Sequence, residues 1–412
     1  MADEREMSNK VRSVSASRAM LAATLATVAG TSLAVACAES SGEPPQTDEP
    51  DAHLIEVADT GAQESESDAD VDAGCGAIDS SLCAPPTCEG VDWCPVQNPA
   101  DTRRAFTSVW GTGKNDVWAV GSGGAVIHFD GTEWKDSSLP TTRTLFSVGG
   151  SGPDDVWIVG TYGTLYHGPG LVNGTAHWES VPIVPYSGAE EKLLSSVWSP
   201  SPDQVWITGE SLRIPGQSRA ATQYRGSVAD GGTKWQAISP CPSCTVMARV
   251  WGTSPTNIWS VGQKGKAFRT VEPQPGDGGV GDAAAAAPVW TDVDSQSTED
   301  LRAVWGSSKD DVWAVGRRGT VRRYRDEATQ AEVVAAGTTE DLHAVWGSAP
   351  NDVWAVGDYG TILHFDGTSW QRSTASLPVG RKPHLYGVWG SAEDDVWVVG
   401  EGIVLHFTGA KK

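Results

Sequence analysis

The sequence of 412 residues predicts an all-β protein, a seven-bladed β-propeller closed by an N-terminal outer strand, and three observations lead to this prediction. A phrase close to L-x-x-V-W-G-S, followed by D-V-W-A-V-G, recurs seven times from residue 106 onward. The chain has 47 Gly and 19 Trp but only 4 Met, a composition typical of sheets with many tight turns. The last copy stops at VLHFTGAKK, one strand earlier than the other copies.

The repeats predict four antiparallel strands per unit. The second Trp of the units falls at Trp118, Trp157, Trp206, Trp259, Trp313, Trp354 and Trp397, and in six units another Trp lies eight residues earlier, at Trp110, Trp198, Trp251, Trp305, Trp346 and Trp389. In the second unit that place is Gly149. A constant spacing within units of unequal length predicts two short strands joined by a tight turn.

The rest of each unit predicts a third strand, such as TILHF, and a fourth strand after DGTSW, where Asp-Gly signals a hairpin. Apolar residues occupy adjacent positions in VWAVG, so both faces of each sheet are expected to be buried by neighbouring sheets. A closed propeller meets this requirement, whereas a linear solenoid would need capping units at its ends. The strict register of the first two Trp sets predicts that they are wedges in the core between blades.

A third set of Trp residues predicts how the ring closes. These residues are Trp134, Trp178, Trp235, Trp290 and Trp370. They lie 15 to 20 residues before the next unit's first Trp position, and Trp93 lies 17 residues before Trp110. We therefore expect VDWCPVQ to be the outer strand of the seventh sheet, with Trp93 and Trp397 as ring-closure residues, within a propeller domain spanning residues 91–412.

The N-terminus predicts export. Basic Lys10, Arg12 and Arg18 precede an Ala-rich apolar run that ends in LAVAC, which resembles a bacterial lipobox with Cys37 as the lipidated residue. Residues 1–37 are therefore expected to be a signal peptide with a lipobox-like end, and the protein an outer-membrane or cell-surface lipoprotein. The alternative is that AVA is an ordinary cleavage site that releases a periplasmic or secreted protein.

Residues 38–74 carry 12 Asp and Glu and no Lys or Arg, which accounts for more than half of the net charge of −22. This composition predicts a disordered acidic linker, since it offers too little apolar surface to offset the entropy of ordering. The chain as a whole is acidic, with a pI of about 4.7, and shows no basic stripe, so we expect no nucleic-acid partner.

The cysteines predict disulfides. If Cys37 is lipidated, six remain, and an even number in an exported protein favours pairing. Four of them, Cys75, Cys83, Cys88 and Cys94, define a Cys-rich neck at residues 75–94 with a spacing that does not fit a zinc knuckle. The pairing among them stays open. Cys241 and Cys244 form a C-x2-C that is interpreted as a loop staple, with redox chemistry as the weaker alternative.

Two sets of polar residues repeat with the strands. The third strand carries His128, His167, His364 and His406, with Gln223, Arg269 and Arg323 in the other units. Acidic residues precede the second Trp at Asp116, Asp155, Asp311, Asp352 and Asp395. Because each blade supplies one such group and sheets stack about 10 Å apart, we interpret the histidines as structural hydrogen-bonding residues and the aspartates as turn caps, not as metal ligands.

The repeat resembles those of tectonin-like propellers in the order W, V-G, V-W-x-V, G-x-I and W, and F-D-G-T-x-W resembles, more loosely, the Asp-box of sialidase-like propellers. The resemblance to tectonins implies a lectin or surface-recognition protein. SLRIPG, with Arg213, Ile214 and Pro215, resembles the arginine motif of sialidases, and this implies the alternative function, a carbohydrate-active extracellular hydrolase.

The sequence therefore predicts a non-catalytic recognition or scaffolding protein of the bacterial cell envelope. We expect a monomer that binds an envelope protein or a glycan through propeller loops on one face and touches the membrane only through its lipid. No catalytic residue, metal site or cofactor is predicted. Blades two, three and four carry the long insertions, which are the candidate binding loops.

Overall fold

The computed structural model of the protein describes residues 88–183, 193–213, 220–229, 232–238, 246–271, 289–326 and 328–409. The predicted signal peptide, the acidic linker and the neck as far as residue 87 lie outside the described residues, as do Cys241 and Cys244. Within the described ranges, no helix has the length and apolar character needed to cross a membrane.

The described strands, in chain order, form seven four-stranded antiparallel sheets. The strand nearest the N-terminus is β1 (Trp93–Pro95). Blade 1 contains β2 (Phe106–Gly113), β3 (Asp116–Gly121), β4 (Val126–Phe129) and β5 (Trp134–Asp136). Blade 2 contains β6 (Leu145–Gly152), β7 (Asp155–Gly160), β8 (Leu165–Gly168) and β11 (Glu179–Ser180), with an inserted hairpin of β9 (Leu171–Val172) and β10 (Thr175–Ala176). Blade 3 contains β12 (Leu194–Ser201), β13 (Gln204–Arg213), β14 (Ala220–Ala229) and β15 (Gly232–Ile238).

The remaining strands follow the same order. Blade 4 contains β16 (Met247–Ser254), β17 (Asn257–Gly262), β18 (Ala267–Val271) and β19 (Val289–Asp292). Blade 5 contains β20 (Leu301–Ser308), β21 (Asp311–Gly316), β22 (Val321–Arg325) and β23 (Glu332–Val334). Blade 6 contains β24 (Leu342–Ala349), β25 (Asp352–Gly357), β26 (Ile362–Phe365) and β27 (Trp370–Arg372). Blade 7 contains β28 (Leu385–Ala392), β29 (Asp395–Gly400) and β30 (Ile403–Phe407), and β1 completes it. Short 3-10 turns lie at Ser122–Gly124, Gln263–Gly265, Arg317–Gly319 and Asp358–Gly360.

The first strand of every blade is the innermost, and the first strands of neighbouring blades contact each other around the axis, including blades 7 and 1. The first and second Trp of a unit are direct cross-strand partners, as in the pairs Trp110↔Trp118 and Trp305↔Trp313. This pairing explains the constant spacing of eight residues in the sequence. The predicted seven-bladed propeller is confirmed.

The core lies between the blades. The second Trp of every unit is at most 1% exposed and packs against the next blade, as Trp118 does with Val148 and Ile158 of blade 2. Third-set Trp residues meet these rings edge-on from the following blade; Trp370, for example, lies 5.4 Å from Trp313 at 87°. Five of the seven interfaces between blades therefore repeat one aromatic arrangement, which contributes both buried area and a favoured T-shaped contact.

The ring closes as the sequence predicts. Trp93 pairs with Phe407, so β1 is the outer strand of blade 7. Its indole is 0% exposed, lies edge-on to Trp354 of blade 6 at 5.0 Å and 87°, and donates from Nε1 to Ser373 Oγ at 3.1 Å. Trp397 packs on the other side of the same blade, against Trp134 of blade 1 at 5.2 Å. Trp93 of the closing strand thus packs at the interface with blade 6, and Trp397 of β29 packs at the interface with blade 1.

A disulfide joins Cys88 to Cys94, with a Cα–Cα distance of 5.6 Å. Cys94 belongs to β1, where it pairs with His406. The bond therefore ties the start of the described chain to the closing strand. Cys75 and Cys83 lie outside the described residues.

Candidate functional site

The innermost strands enclose an axial channel with a cavity of about 240 Å³. Two to four successive positions of each first strand line it, as Ala303, Val304 and Trp305 do in blade 5. The middle position is Val in all seven blades: Val109, Val148, Val197, Val250, Val304, Val345 and Val388. None of the described residues that line the channel is acidic.

One end of the channel is surrounded by six half-buried Trp residues, here called the tryptophan rim: Trp110, Trp198, Trp251, Trp305, Trp346 and Trp389. The prediction that these residues are wedges in the core is incomplete. They do pack between blades, but their strands are innermost, so no further sheet covers the side that faces the axis. No described residue accepts a hydrogen bond from their indole N–H groups, and none of these groups is buried without a partner, so they remain accessible.

Each rim Trp lies against the next blade at a Gly. A Cβ placed on Gly150 would lie 2.8 Å from Cη2 of Trp110, and the same close approach occurs at Gly252, Gly306, Gly347, Gly390 and Gly111. The seventh contact differs on both sides, because Gly149 replaces the Trp and Ser199 replaces the Gly. Because blade 2 has no indole at Gly149, blade 3 can accommodate the side chain of Ser199 at the position that is Gly in the other blades. The rim therefore has a gap between Trp110 and Trp198.

Arg249 is the only charged residue among those that line the channel in the described part of the chain. The six equivalent positions hold small residues: Ser108, Ser147, Ser196, Ala303, Ala344 and Gly387. The guanidinium reaches past blade 3 and donates from Nη1 to Ser147 Oγ of blade 2 at 3.3 Å. Desolvation by the surrounding protein lowers the pKa of Arg249 to about 10. At neutral pH the channel thus contains a cation that no described carboxylate neutralises.

The position of Arg249 also carries contacts between blades. Ser108, Ser147 and Ser196 each accept a hydrogen bond from the backbone N–H of the next blade's channel valine, at 3.3–3.4 Å. Arg249 and the equivalent residues of blades 5, 6 and 7 have no oxygen in their side chains for this bond. The channel is therefore asymmetric, with hydroxyl acceptors in blades 1 to 3, one of which holds the guanidinium, and no side-chain oxygen at the equivalent position of the other four blades.

The histidines of the third strand have a structural role. In four blades His Nε2 lies 2.7–2.8 Å from Oδ1 of the Asp before the second Trp, as His167 does with Asp155, and the His ring stacks on or tilts over that Trp. In blade 5 Arg323 takes this place opposite Asp311. The residue opposite Trp206 in blade 3 is Arg225, not Gln223 as the sequence alignment suggested, because Gln223 pairs two residues farther along, with Thr208.

The aspartates do more than cap turns. Asp155 accepts from Ser151, Ser199 and Trp157 in addition to His167. Burial alone would raise the pKa of Asp155, but these hydrogen bonds hold it below the ordinary value of 3.8. Each Asp therefore joins its turn to the third strand. Among the described residues, no group of three or more His, Cys, Asp or Glu has a geometry that would hold a metal ion.

A second polar cluster lies where the first strands of blades 5 to 7 begin. Asp358 lies 2.7 Å from both His343 Nε2 and His384 Nδ1. Burial lowers the pKa of His343, with the hydrogen bond to Asp358 acting in the opposite direction. Nearby, the Tyr386 hydroxyl donates to Glu401 at 3.3 Å, and Arg381 contacts Glu401 at 3.2 Å.

The insertions do not share one face. The segments 181–192 and 210–219 leave blades 2 and 3 at the end where first strands begin, whereas 272–288 leaves blade 4 at the end where first strands finish. The connections that carry the insertions therefore start at two different ends of the sheets, because successive connections alternate between the ends of an antiparallel sheet. Binding through loops on one face stays a prediction. Arg213 is the last residue of β13, while Ile214 and Pro215 lie outside the described residues.

Sequence reasoning did not single out Arg249 or recognise the rim. A signal for both is present in the repeats, since the residues before the channel valines read Ser, Ser, Ser, Arg, Ala, Ala and Gly. That these positions line an enclosed channel follows only from the inner location of the first strands.

No family model matches the chain, and no curated protein matches it in sequence. Solved structures resemble it in fold. YCF48 bound to D1 peptide is 18% identical, covers 79% of this chain and 100% of that chain, and has a TM-score of 0.56. YCF48 from Cyanidioschyzon merolae is 20% identical over 77% of this chain and 99% of its own, with a TM-score of 0.56. The WD40 β-propeller domain of Doa1 is 10% identical over 78% and 98%, with a TM-score of 0.55. At these identities the likeness shows a shared propeller fold, and no family model matches the tectonin-like or Asp-box resemblance.

Proposed function

We propose that this chain is a non-catalytic recognition or scaffolding protein of the bacterial cell envelope and that it binds a protein partner at the tryptophan rim. The observation that supports the proposal is the rim itself: six half-buried indoles surround the mouth of one channel, with accessible N–H groups. Large rigid aromatic residues with one polar group are the side chains that most often dominate protein interfaces.

The rim favours a protein segment over a sugar as the ligand. The Cη2 edge of each indole lies against a Gly of the next blade, and the six indoles surround one channel. A projecting apolar side chain fits this mouth better than a pyranose ring does. The fold neighbour YCF48 has been solved with a bound D1 peptide, which supports peptide recognition by a propeller of this type. A glycan is the other outcome that the binding test distinguishes.

The test is direct binding by variants of the full mature chain. Envelope proteins captured by the parent protein would be identified, purified and titrated against Trp305→Ala and Trp346→Ala. We expect at least about tenfold weaker binding by each, as for truncated aromatic hot spots. Tyr162→Ala and Tyr359→Ala are matched controls, since these aromatic residues are 55% and 53% exposed and lie outside the channel.

If the controls weaken binding and the rim variants do not, the rim is not the contact surface. If a glycan array binds while purified envelope proteins do not, the partner class is wrong. Analytical ultracentrifugation of the mature chain would test the expected monomer.

The envelope location rests on the N-terminal sequence, with Cys37 as the lipid-bearing residue. We expect Cys37→Ser to move the protein from the membrane fraction to the soluble fraction, because a single acyl anchor is lost. Equal partitioning of parent and variant would contradict lipidation and favour release after signal cleavage.

A second candidate function, hydrolysis of an extracellular carbohydrate, is favoured by the hydrogen bond between Tyr386 and Glu401, the residue types of a tyrosine nucleophile and its base. In the described part of the chain one arginine, Arg381, contacts this pair, whereas the sialidase arrangement requires three. Release of a fluorophore from a sialoside by the parent, and its loss in Tyr386→Phe, would establish this function over recognition.

A further inference from the structure

Arg249 carries a charge that the fold does not compensate. Its guanidinium has five N–H donors, and among the described residues it makes one hydrogen bond, to the neutral hydroxyl of Ser147. No acidic residue lines the channel in the described part. Buried cations in folded proteins are normally paired, because leaving water unpaired is costly. An arginine kept in this position at a cost to stability points to a ligand that supplies the missing charge.

The backbone around Arg249 adds donors. In blades 2, 3 and 4 the N–H groups of Val148, Val197 and Val250 bond to a serine of the preceding blade. In the other four blades the preceding blade has no serine at this position and so offers no acceptor to the valine N–H. The residue of the preceding blade is Arg249 for Val304, Ala303 for Val345, Ala344 for Val388 and Gly387 for Val109. By the equivalence of the blades, these four N–H groups face the same inner side. This arc of backbone donors spans blades 5 to 7 and blade 1, and the guanidinium, held at Ser147, lies at neighbouring blade 2 of the same channel, a combination suited to an anion.

The channel limits the chemistry of that anion. A cavity of about 240 Å³ has room for roughly eight waters at about 30 Å³ each, so it holds a ligand of a few heavy atoms or the end of a longer one. One guanidinium offers a single positive charge in a planar fork, which matches a carboxylate in both charge and geometry. Seven valines and then the tryptophan rim follow along the channel, and they provide an apolar environment for the hydrocarbon part of the ligand.

We propose that the axial channel binds an organic carboxylate, with Arg249 holding the carboxylate group and the valine layer and the tryptophan rim contacting its apolar part. The carboxylate comes either from a small monocarboxylic acid or from the C-terminus of a peptide chain. The gap at Gly149, where the rim lacks an indole, is the proposed entrance. This proposal rests on the proposed function only in taking the rim as a binding surface.

The test is isothermal titration of the full mature chain at constant ionic strength with benzoate and butyrate, and with benzamide and butyramide as uncharged analogues. We expect the carboxylates to bind and the amides to bind at least about tenfold more weakly. Arg249→Ser, which installs the residue of blades 1 to 3, should lose carboxylate binding. Arg249→Lys should retain part of it, because it keeps the charge but loses the fork.

Arg302→Ser is the matched control, since Arg302 precedes the equivalent position in blade 5 and pairs with Asp341 outside the channel lining. It should bind carboxylates as the parent does. A second arm uses hydrophobic tripeptides with free and amidated C-termini: preference for the free form identifies a chain terminus as the source, and binding of benzoate alone identifies a small acid.

Equal binding of acids and amides would overturn the proposal, as would unchanged binding by folded Arg249→Ser, or no carboxylate binding by the parent at millimolar concentration. A protein partner that depends on Trp305 and not on Arg249 would overturn the carboxylate site and leave the proposed function intact. Carboxylate binding that depends on Arg249, with partner binding that does not depend on the rim, would overturn the proposed function and leave the carboxylate site intact.

Discussion

Two sets of tryptophans, one on the first strands and one on the second, occupy cross-strand positions in the same sheets. They differ in how complete each set is and in how exposed its members are. The second-strand set is complete in all seven blades and at most 1% exposed. The first-strand set has six members, is half-buried and is interrupted at Gly149. The second-strand set is repeated in every blade because each of its residues packs between two similar blades. Where the chain departs from the repeat, at Gly149, Ser199 and Arg249, packing alone no longer determines the residue.

Trp93, on the outer strand of blade 7, packs against Trp354 of the complete set at the seam, and removing it should have the largest effect. Deletion of residues 90–97 removes β1, its pairing with β30 and the hydrogen bonds from Ser373 and Thr374 to Asp92. We expect a loss of more than about 5 kcal/mol in the free energy of unfolding, because a fully buried Trp alone contributes about 3–5 kcal/mol. Thermal unfolding measures this, and an unchanged melting temperature would contradict closure by β1.

In blade 5, one Trp of each set can be replaced and the two costs compared, because Trp305 and Trp313 are cross-strand partners. Trp313→Ala should cost about 3–5 kcal/mol, since the ring is 0% exposed and packs against Phe365 and Trp370 of blade 6. Trp305→Ala, its cross-strand partner, should cost about 1–2 kcal/mol because its side chain is already partly exposed at the channel. Denaturant unfolding measures both values. Equal costs would show that the rim is part of the core and not a separate surface.

Replacing Arg249 should stabilise the protein. Burial lowers its pKa to about 10, well below the ordinary value for arginine, so the charged form is less stable in the folded state. Arg249→Ser should raise the free energy of unfolding by about 1–3 kcal/mol at pH 7, discounted for the partial accessibility of the group. The penalty is fully present below pH 10 and fades as pH rises above 10 towards the ordinary pKa of arginine, so parent and variant should begin to converge there. A variant less stable than the parent at pH 7 would refute the uncompensated charge.

Filling the gap in the rim should have the smallest effect on the free energy of unfolding. Gly149→Trp alone should destabilise slightly, because Ser199 stands where the other blades have Gly. Combining it with Ser199→Gly should recover about 1 kcal/mol, within the usual range for contacting residues. A double-mutant cycle in denaturant isolates this coupling. Strictly additive effects would mean that the two exceptions are unrelated.

Much of the fold could be predicted because it repeats. The spacing of eight between Trp305 and Trp313 reports a cross-strand pair, and the distance from Trp93 to Trp110 matches those of the other outer strands. The alignment failed at Gln223, where blade 3 departs from the repeat and a shift of two residues is invisible without the partner strand. It also assigned His167 and Asp155 separate roles, because their contact at 2.8 Å joins different strands.

The sequence by itself determined the number of blades, the strands within them and the closing role of β1, since these follow from local periodicity and from burial on both faces of each sheet. Only the tertiary structure decided that one Trp set lines a channel, that Arg249 extends into it and that the insertions leave from opposite ends. The physical reason is that ring closure brings seven equivalent positions, far apart in the chain, around one axis. A single substitution among them then changes an environment to which all seven blades contribute.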